Sequence, residues 1–219
     1  MGLHKTPERS ALPGRMRQMG RKAKITKEMV LQAAFDLLDE GGINAVAIKS
    51  IAAKLECSTQ PISWIFGSMM DLKRELYKFA ADRMWEGIAD DMGDKDAVHA
   101  FFETGVRYIT NACDHPHVFR FLYIDNLKDT LGDGLKLPEG MSVFTVQFDP
   151  MAVEVLAKEY NVPKEKIGEA VQNTVIYTHG LATMMMWDDF KMPKETAIEM
   201  VYNMGITLLR DIGIEIQDT

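Results

Sequence analysis

Thr59, Gln60, Ser63 and Trp64 carry the clearest chemistry in this chain. A glutamine amide pairs a donor with an acceptor and can take adenine at two points, while threonine offers thymine both a hydroxyl and a methyl. Small polar groups near the N-terminus of a short helix suit entry into the major groove of DNA. Ser58, just before them, is a good N-cap residue. Ser68 opens the following helix, whose free backbone N–H groups can receive a phosphate. The alternative for this window is two core helices with an ordinary polar face.

Other chemistries find less support. Cys113-Asp114-His115-Pro116-His117 places four potential metal ligands within five residues. No second Cys or His pair answers them, so no metal site is expected. There is no Gly-rich phosphate loop, no G-x-S-x-G elbow and no H-E-x-x-H. Asp90-Asp91 and Asp188-Asp189 fall at predicted helix ends, where solvated charge is usual. No catalytic residues, no cofactor and no enzymatic activity are expected.

The elements that must position the polar group follow from the apolar spacing. Ile48, Ile51, Ala52 and Leu55 share one helix face. Glu56-Cys57 breaks that pattern, and a second short helix turns Ile62, Ile65 and Phe66 inward before Gly67. The pair describes a helix-turn-helix. A longer first helix from Thr26 to Glu40 packs behind it, with Met29, Val30, Ala33, Ala34, Leu37 and Leu38 as its stripe. Ser68 to Asp71 has the form of a capping box. The helix it starts is expected to run unbroken from Leu72 to Met92, roughly 30 Å at 1.5 Å per residue. Further helices are expected over Ala97–Cys113, Val118–Leu127 and Pro150–Tyr160, then from Pro163 to Asp188 or Asp189 and from Pro193 onward. Between them, 130–149 is too apolar for a solvated linker and is expected to fold over the body as a flap or short helix. No strand pattern competes, and the fold class is all-α: a three-helix head on a larger helical body.

The run from Ala33 to Tyr77 resembles the DNA-binding domain of the tetracycline-repressor (TetR) family. The resemblance rests on Glu40-Gly41, Ile51-Ala52, Ser58, Phe66-Gly67-Ser68 and Leu72. It covers about a fifth of the chain and is specific as a set. Three positions depart from the family pattern: Ser63 stands where Tyr is usual, Ile65 where His is usual, and Met69 where Lys is usual. The Tyr and Lys normally touch phosphates, so backbone anchoring is expected to be weaker or shifted onto other residues. Ala47 also replaces a capping Thr, at a cost of about 1 kcal/mol.

Charge is distributed as such a head requires. The chain carries a net −7. Residues 1–78 hold 13 Lys and Arg against 8 Asp and Glu, a balance of +5; the remainder hold 12 against 24, a balance of −12. A basic head on an acidic body is expected when only the head meets phosphate. Residues 1–25 read as a flexible basic arm from which Arg21, Lys22 and Lys24 are expected to reach DNA, with Lys49 as a further phosphate contact. The head proper spans 26–70, and 71–219 reads as a ligand-binding and dimerisation domain. Cys57 and Cys113 form no disulfide framework and fit a reducing cytoplasm. No apolar run approaches the ~20 residues of a membrane span.

The last two long helices carry more apolar surface than one face needs. Gly180, Thr183, Trp187, Tyr202, Gly205 and Leu209 are the expected contacts of a homodimer, which the resemblance also implies and which a palindromic operator requires. If the body follows the family plan it holds a pocket, with Phe102, Tyr108, Cys113, Tyr123, Tyr177, Thr178, Leu181 and Met185 as candidate lining. Aromatic and Met side chains there suit an apolar or aromatic small-molecule effector. The expected function is a ligand-responsive transcriptional regulator, most simply a repressor released from double-stranded operator DNA. The alternative is a helical interaction or scaffold module that has lost DNA binding, suggested by Ser63, Ile65 and Met69.

Overall fold

The computed structural model describes residues 24–133 and 150–216 of the 219-residue chain. Arg21, Lys22 and nearly all of the basic arm therefore lie outside the described residues, as do 134–149 of the apolar loop. The described residues form helices and no strand: α1 (Lys27–Gly41), α2 (Ile48–Lys54), α3 (Thr59–Phe66), α4 (Met69–Met84), α5 (Ile88–Met92), α6 (Ala97–Asp114), α7 (Pro116–Tyr123), α8 (Leu127–Leu131), α9 (Pro150–Tyr160), α10 (Lys164–Met185) and α11 (Lys194–Asp211). A single 3₁₀ turn, Ile43–Ala45, joins α1 to α2. None of the described helices is long and apolar enough to cross a membrane.

Local chemistry accounts for the head. Thr26 caps α1, its hydroxyl oxygen accepting from the Met29 amide at 3.2 Å. Val30, Ala33, Ala34 and Leu38 then face Ile51, Ile62 and Phe66 in one core. Between α2 and α3 the chain turns through Glu56, which sits in the left-handed region at φ +50. Ser58 occupies the N-cap position of α3 but makes no capping hydrogen bond. The third residue of the helix is Pro61, so the amide such a cap commonly engages is missing. α4 starts differently: the Ser68 hydroxyl oxygen accepts from the Asp71 amide at 3.1 Å and its hydrogen goes to the Asp71 carboxylate at 2.6 Å.

The head core does not close on itself. Val118, Phe121 and Leu122 of α7 and Leu131 of α8 complete it. The Tyr77 hydroxyl, buried in α4, donates to the Leu122 carbonyl at 3.2 Å, and Arg74 donates to the Leu131 carbonyl at 3.0 Å.

The unbroken helix expected from Leu72 to Met92 is not observed. α4 ends at Met84, Trp85 caps it, and Gly87 at φ +80 turns the chain before α5. Apolar spacing masks this break because Trp85 still packs inward, between two clusters; Gly87 is the residue that marks it. α6 fixes the corner. Asn111, itself buried, donates to the Met84 carbonyl at 3.1 Å, and Arg107 donates to the Glu86 carbonyl at 3.0 Å while pairing with Asp91. With 16 residues, α4 spans about 24 Å.

The body is built on α6, α10 and α11, which pack on one another, with α9 laid against α6 and α10. Gly205 of α11 permits the closest approach: a Cβ there would lie 2.3 Å from Phe102 Cε1. The body core has two parts, one around Phe102, Leu156, Val171 and Leu209, the other around Tyr108, Phe119, Leu181 and Val201.

Candidate nucleic-acid interface

α3 turns Ile62 and Phe66 into the head core and leaves Ser58, Thr59, Gln60, Ser63 and Trp64 exposed. Trp64 is 77% exposed, an extreme value for an indole. The Ser63 hydroxyl donates back to the Thr59 carbonyl at 3.2 Å, which leaves its oxygen outward as an acceptor. The four predicted base-reading side chains therefore do share one solvent face.

An open groove of about 370 Å³ lies between the 3₁₀ turn with the start of α2 on one side and the start of α4 on the other. Ile43, Ala47, Ile48 and Met69 line its apolar part, with Lys49 and Lys73 among the polar residues. Neither lysine has an ion-pair or hydrogen-bond partner among the described residues, and Lys24 is likewise unpaired. Lys78 of α4 is exposed and also has no such partner among the described residues, but Lys54, Lys27 and Arg74 behave differently. Lys54 is drawn to Glu40 at 2.8 Å, a hydrogen bond that holds its pKa above the usual lysine value against the opposing effect of burial. Lys27 pairs with Glu75 and Arg74 with Asp71. Two unpaired lysines, Lys49 and Lys73, thus line the groove between the starts of α2 and α4.

Lys73 escaped the sequence reading. The available signal was its spacing: it stands one turn after Met69 on α4, where a side chain covers the same helix face. Ser68 is exposed at the start of this helix, as the sequence predicts.

The candidate effector residues separate in space. Tyr108, Cys113, Tyr123, Tyr177, Leu181 and Met185 gather in one cluster with Phe119, against which Trp85 also packs. Thr178 is buried on α10, its hydroxyl donating to the Thr174 carbonyl at 2.8 Å. Phe102 lies in the other body cluster and does not join them. The Trp85 indole donates to the Tyr123 hydroxyl at 2.8 Å, and Tyr108 shares a 2.8 Å hydrogen bond with His179 Nδ1. Burial pushes the Tyr123 hydroxyl up to about 12 although the Trp85 bond opposes it. Burial likewise raises Tyr108 and lowers His179, so that pair is uncharged near neutrality.

The candidate dimer residues divide as well. Gly180 lies with Ile176 on the outer face of α10, and Trp187 stands in the turn just after that helix; Trp187 is 58% and Ile176 57% exposed. A Cβ on Gly180 would meet nothing within 4 Å. Thr183 is half-buried, its hydroxyl donating to the His179 carbonyl. Tyr202 is half-buried and stacks on Phe102 with ring centroids 4.6 Å apart. Gly205 and Leu209 are turned into the chain's own core, Gly205 beneath Phe102 and Leu209 beside Val98 and Phe101. Sequence periodicity marks both as apolar positions of α11 but does not say whether the chain's own core or a second copy covers them.

No protein-family model matches this sequence, and no curated protein matches it. Solved structures do. A TetR-like transcriptional regulator from Rhodococcus sp. RHA1 superposes with a TM-score of 0.60 at 15% identity, over 88% of this chain and 99% of that one. A second transcriptional regulator from Rhodococcus sp. RHA1 gives 0.59 at 12% identity, over 88% and 100%. A TetR variant from Acinetobacter baumannii AYE, solved in complex with minocycline, gives 0.54 at 14% identity, over 87% and 100%. The chain has the all-helical fold of the TetR-like transcriptional regulators.

Proposed function

We propose that this chain is a ligand-responsive, DNA-binding transcriptional regulator that acts as a homodimer, most simply a repressor. The observation that carries the reading is the uncharged, exposed face of α3, supported by a groove at the starts of α2 and α4 where Lys49 and Lys73 stand without carboxylate partners among the described residues. Lys73 takes over the phosphate contact that Met69 lacks. The outer faces of the two α10 helices pair across a two-fold axis, with Ile176 and Gly180 at the contact and Trp187 from the turn that follows, and set the two heads on a palindromic operator.

The effector is a small apolar or aromatic molecule, and its site is the Tyr108, Tyr123, Tyr177, Leu181 and Met185 cluster. Two facts favour that cluster: Trp85 links it to the end of α4, and a solved protein of the same fold holds minocycline. A ligand that displaces the corner at Met84–Gly87 moves α4, and with it the head.

The DNA reading is tested by titrating duplex DNA of random sequence over a range of salt. The wild type should bind it with micromolar or weaker affinity at physiological salt. Lys49→Gln and Lys73→Gln should each weaken binding to every sequence alike and lower the salt slope by about 1. No binding even at low salt would overturn the proposal. The effector is tested separately by titrating candidate aromatic compounds with and without bound DNA, since linkage demands the same coupling factor in both directions.

A further inference from the structure

We infer that the base pairs read by α3 are A·T pairs, recognised through the adenine edge and the thymine methyl, with no guanine contact from this helix. The inference rests on the DNA-binding reading above and names the kind of operator that reading requires.

Guanine presents two acceptors to the major groove, N7 and O6, and is normally taken by the paired donors of an Arg or by a Lys. The exposed face of α3 holds Thr59, Gln60, Ser63 and Trp64, and none is ionised. Nearby cations do not make up the lack. Lys54 is withdrawn into ion pairs with Glu40 and Asp36, while Lys49 and Lys73 line the groove at the helix starts. Glu56, exposed on the preceding turn, lies outside α3; as an acceptor it offers guanine nothing, and a G·C pair could meet it only through the cytosine amino group.

What α3 does present matches the other base pair. The Gln60 amide sets a donor beside an acceptor, the complement of adenine N7 and N6. The Ser63 hydrogen is already committed to the Thr59 carbonyl, so its oxygen can accept from an amino group of adenine or of cytosine and does not choose between the pairs. Trp64 holds a large apolar ring in water. The one apolar group on the floor of the major groove is the thymine C5-methyl. Docking against it gives that ring an apolar partner that a guanine–cytosine pair does not present.

The experiment uses the full chain to select duplexes from a random-sequence library, followed by single replacements of thymine by uracil in the selected half-site. Uracil deletes only the methyl and leaves the protein untouched. Selected half-sites should carry A·T pairs at their core. At least one uracil should weaken binding about 4-fold, the worth of one methyl group. That sensitivity should vanish in Trp64→Ala. Gln60→Ala should lose about 5–150-fold on the selected site and its preference at one adenine. A core of invariant G·C pairs whose selection is lost in Gln60→Ala overturns the inference, as does full tolerance of uracil at every position. Both of those outcomes leave DNA binding standing; failure to retain any duplex at low salt overturns the DNA-binding reading itself.

Discussion

Glu56 is a residue whose backbone opposes its side chain. At φ +50 it occupies a region where an L side chain crowds the neighbouring carbonyl, and glycine does not. Glu56→Gly should therefore stabilise the protein by about 1 kcal/mol, less what glycine adds to the freedom of the unfolded chain. Urea unfolding with an unchanged m-value checks this. His179 contributes a pH dependence with a definite sign. Burial holds its folded pKa below the ordinary value, so the fold favours neutral imidazole. The unfolded chain takes up that proton near 6.5. Stability from this group is complete above that pH, starts to fall as pH drops below it, and has been lost once the lower folded pKa is passed. Between pH 7.5 and 5.5 the wild type should lose more stability than His179→Gln, measured by urea midpoints at each pH.

At the scale of elements, the corner between α4 and α5 matters most. Asn111→Leu keeps the volume but leaves the Met84 carbonyl without its donor in a buried place. A loss of about 1–3 kcal/mol is expected, with the change visible in thermal unfolding. If the corner transmits the effector signal, the same variant should also narrow the difference in DNA affinity with and without effector. The helix starts at Thr26 and Ser68, the inward side of α3 and the extent of α6 were all legible in the sequence, because caps and apolar spacing act within one or two turns. The break at Gly87 was not, since Trp85 keeps its inward position through the change of direction. Lys73 was missed for a related reason: a lysine on a polar helix face carries no mark until its neighbours across the groove are known. Gly180 and Gly205 looked alike in sequence, and only the packing of α6 on α11 shows that one is open while the other lies under Phe102.

For the molecule as a whole, Trp187 in the turn after α10 makes the dimer proposal testable. Trp187→Glu places a charge on an exposed position of the single chain, so the fold should survive with unchanged helix content. Sedimentation should show a monomer where the wild type is a dimer at micromolar concentration, and operator affinity should fall with it. A wild-type monomer would refute the two-headed arrangement. The core that α1, α3 and α4 share with Val118, Phe121, Leu122 and Leu131 has a different kind of consequence. A recombination joining this head to a foreign body after α4 would sever the Tyr77 bond to Leu122 and open that core to water. The unit that can be exchanged between such proteins is thus discontinuous, the head together with the inner faces of α7 and α8. On the proposed reading, new DNA specificities would arise through point changes on the outside of α3 rather than through shuffling of whole segments.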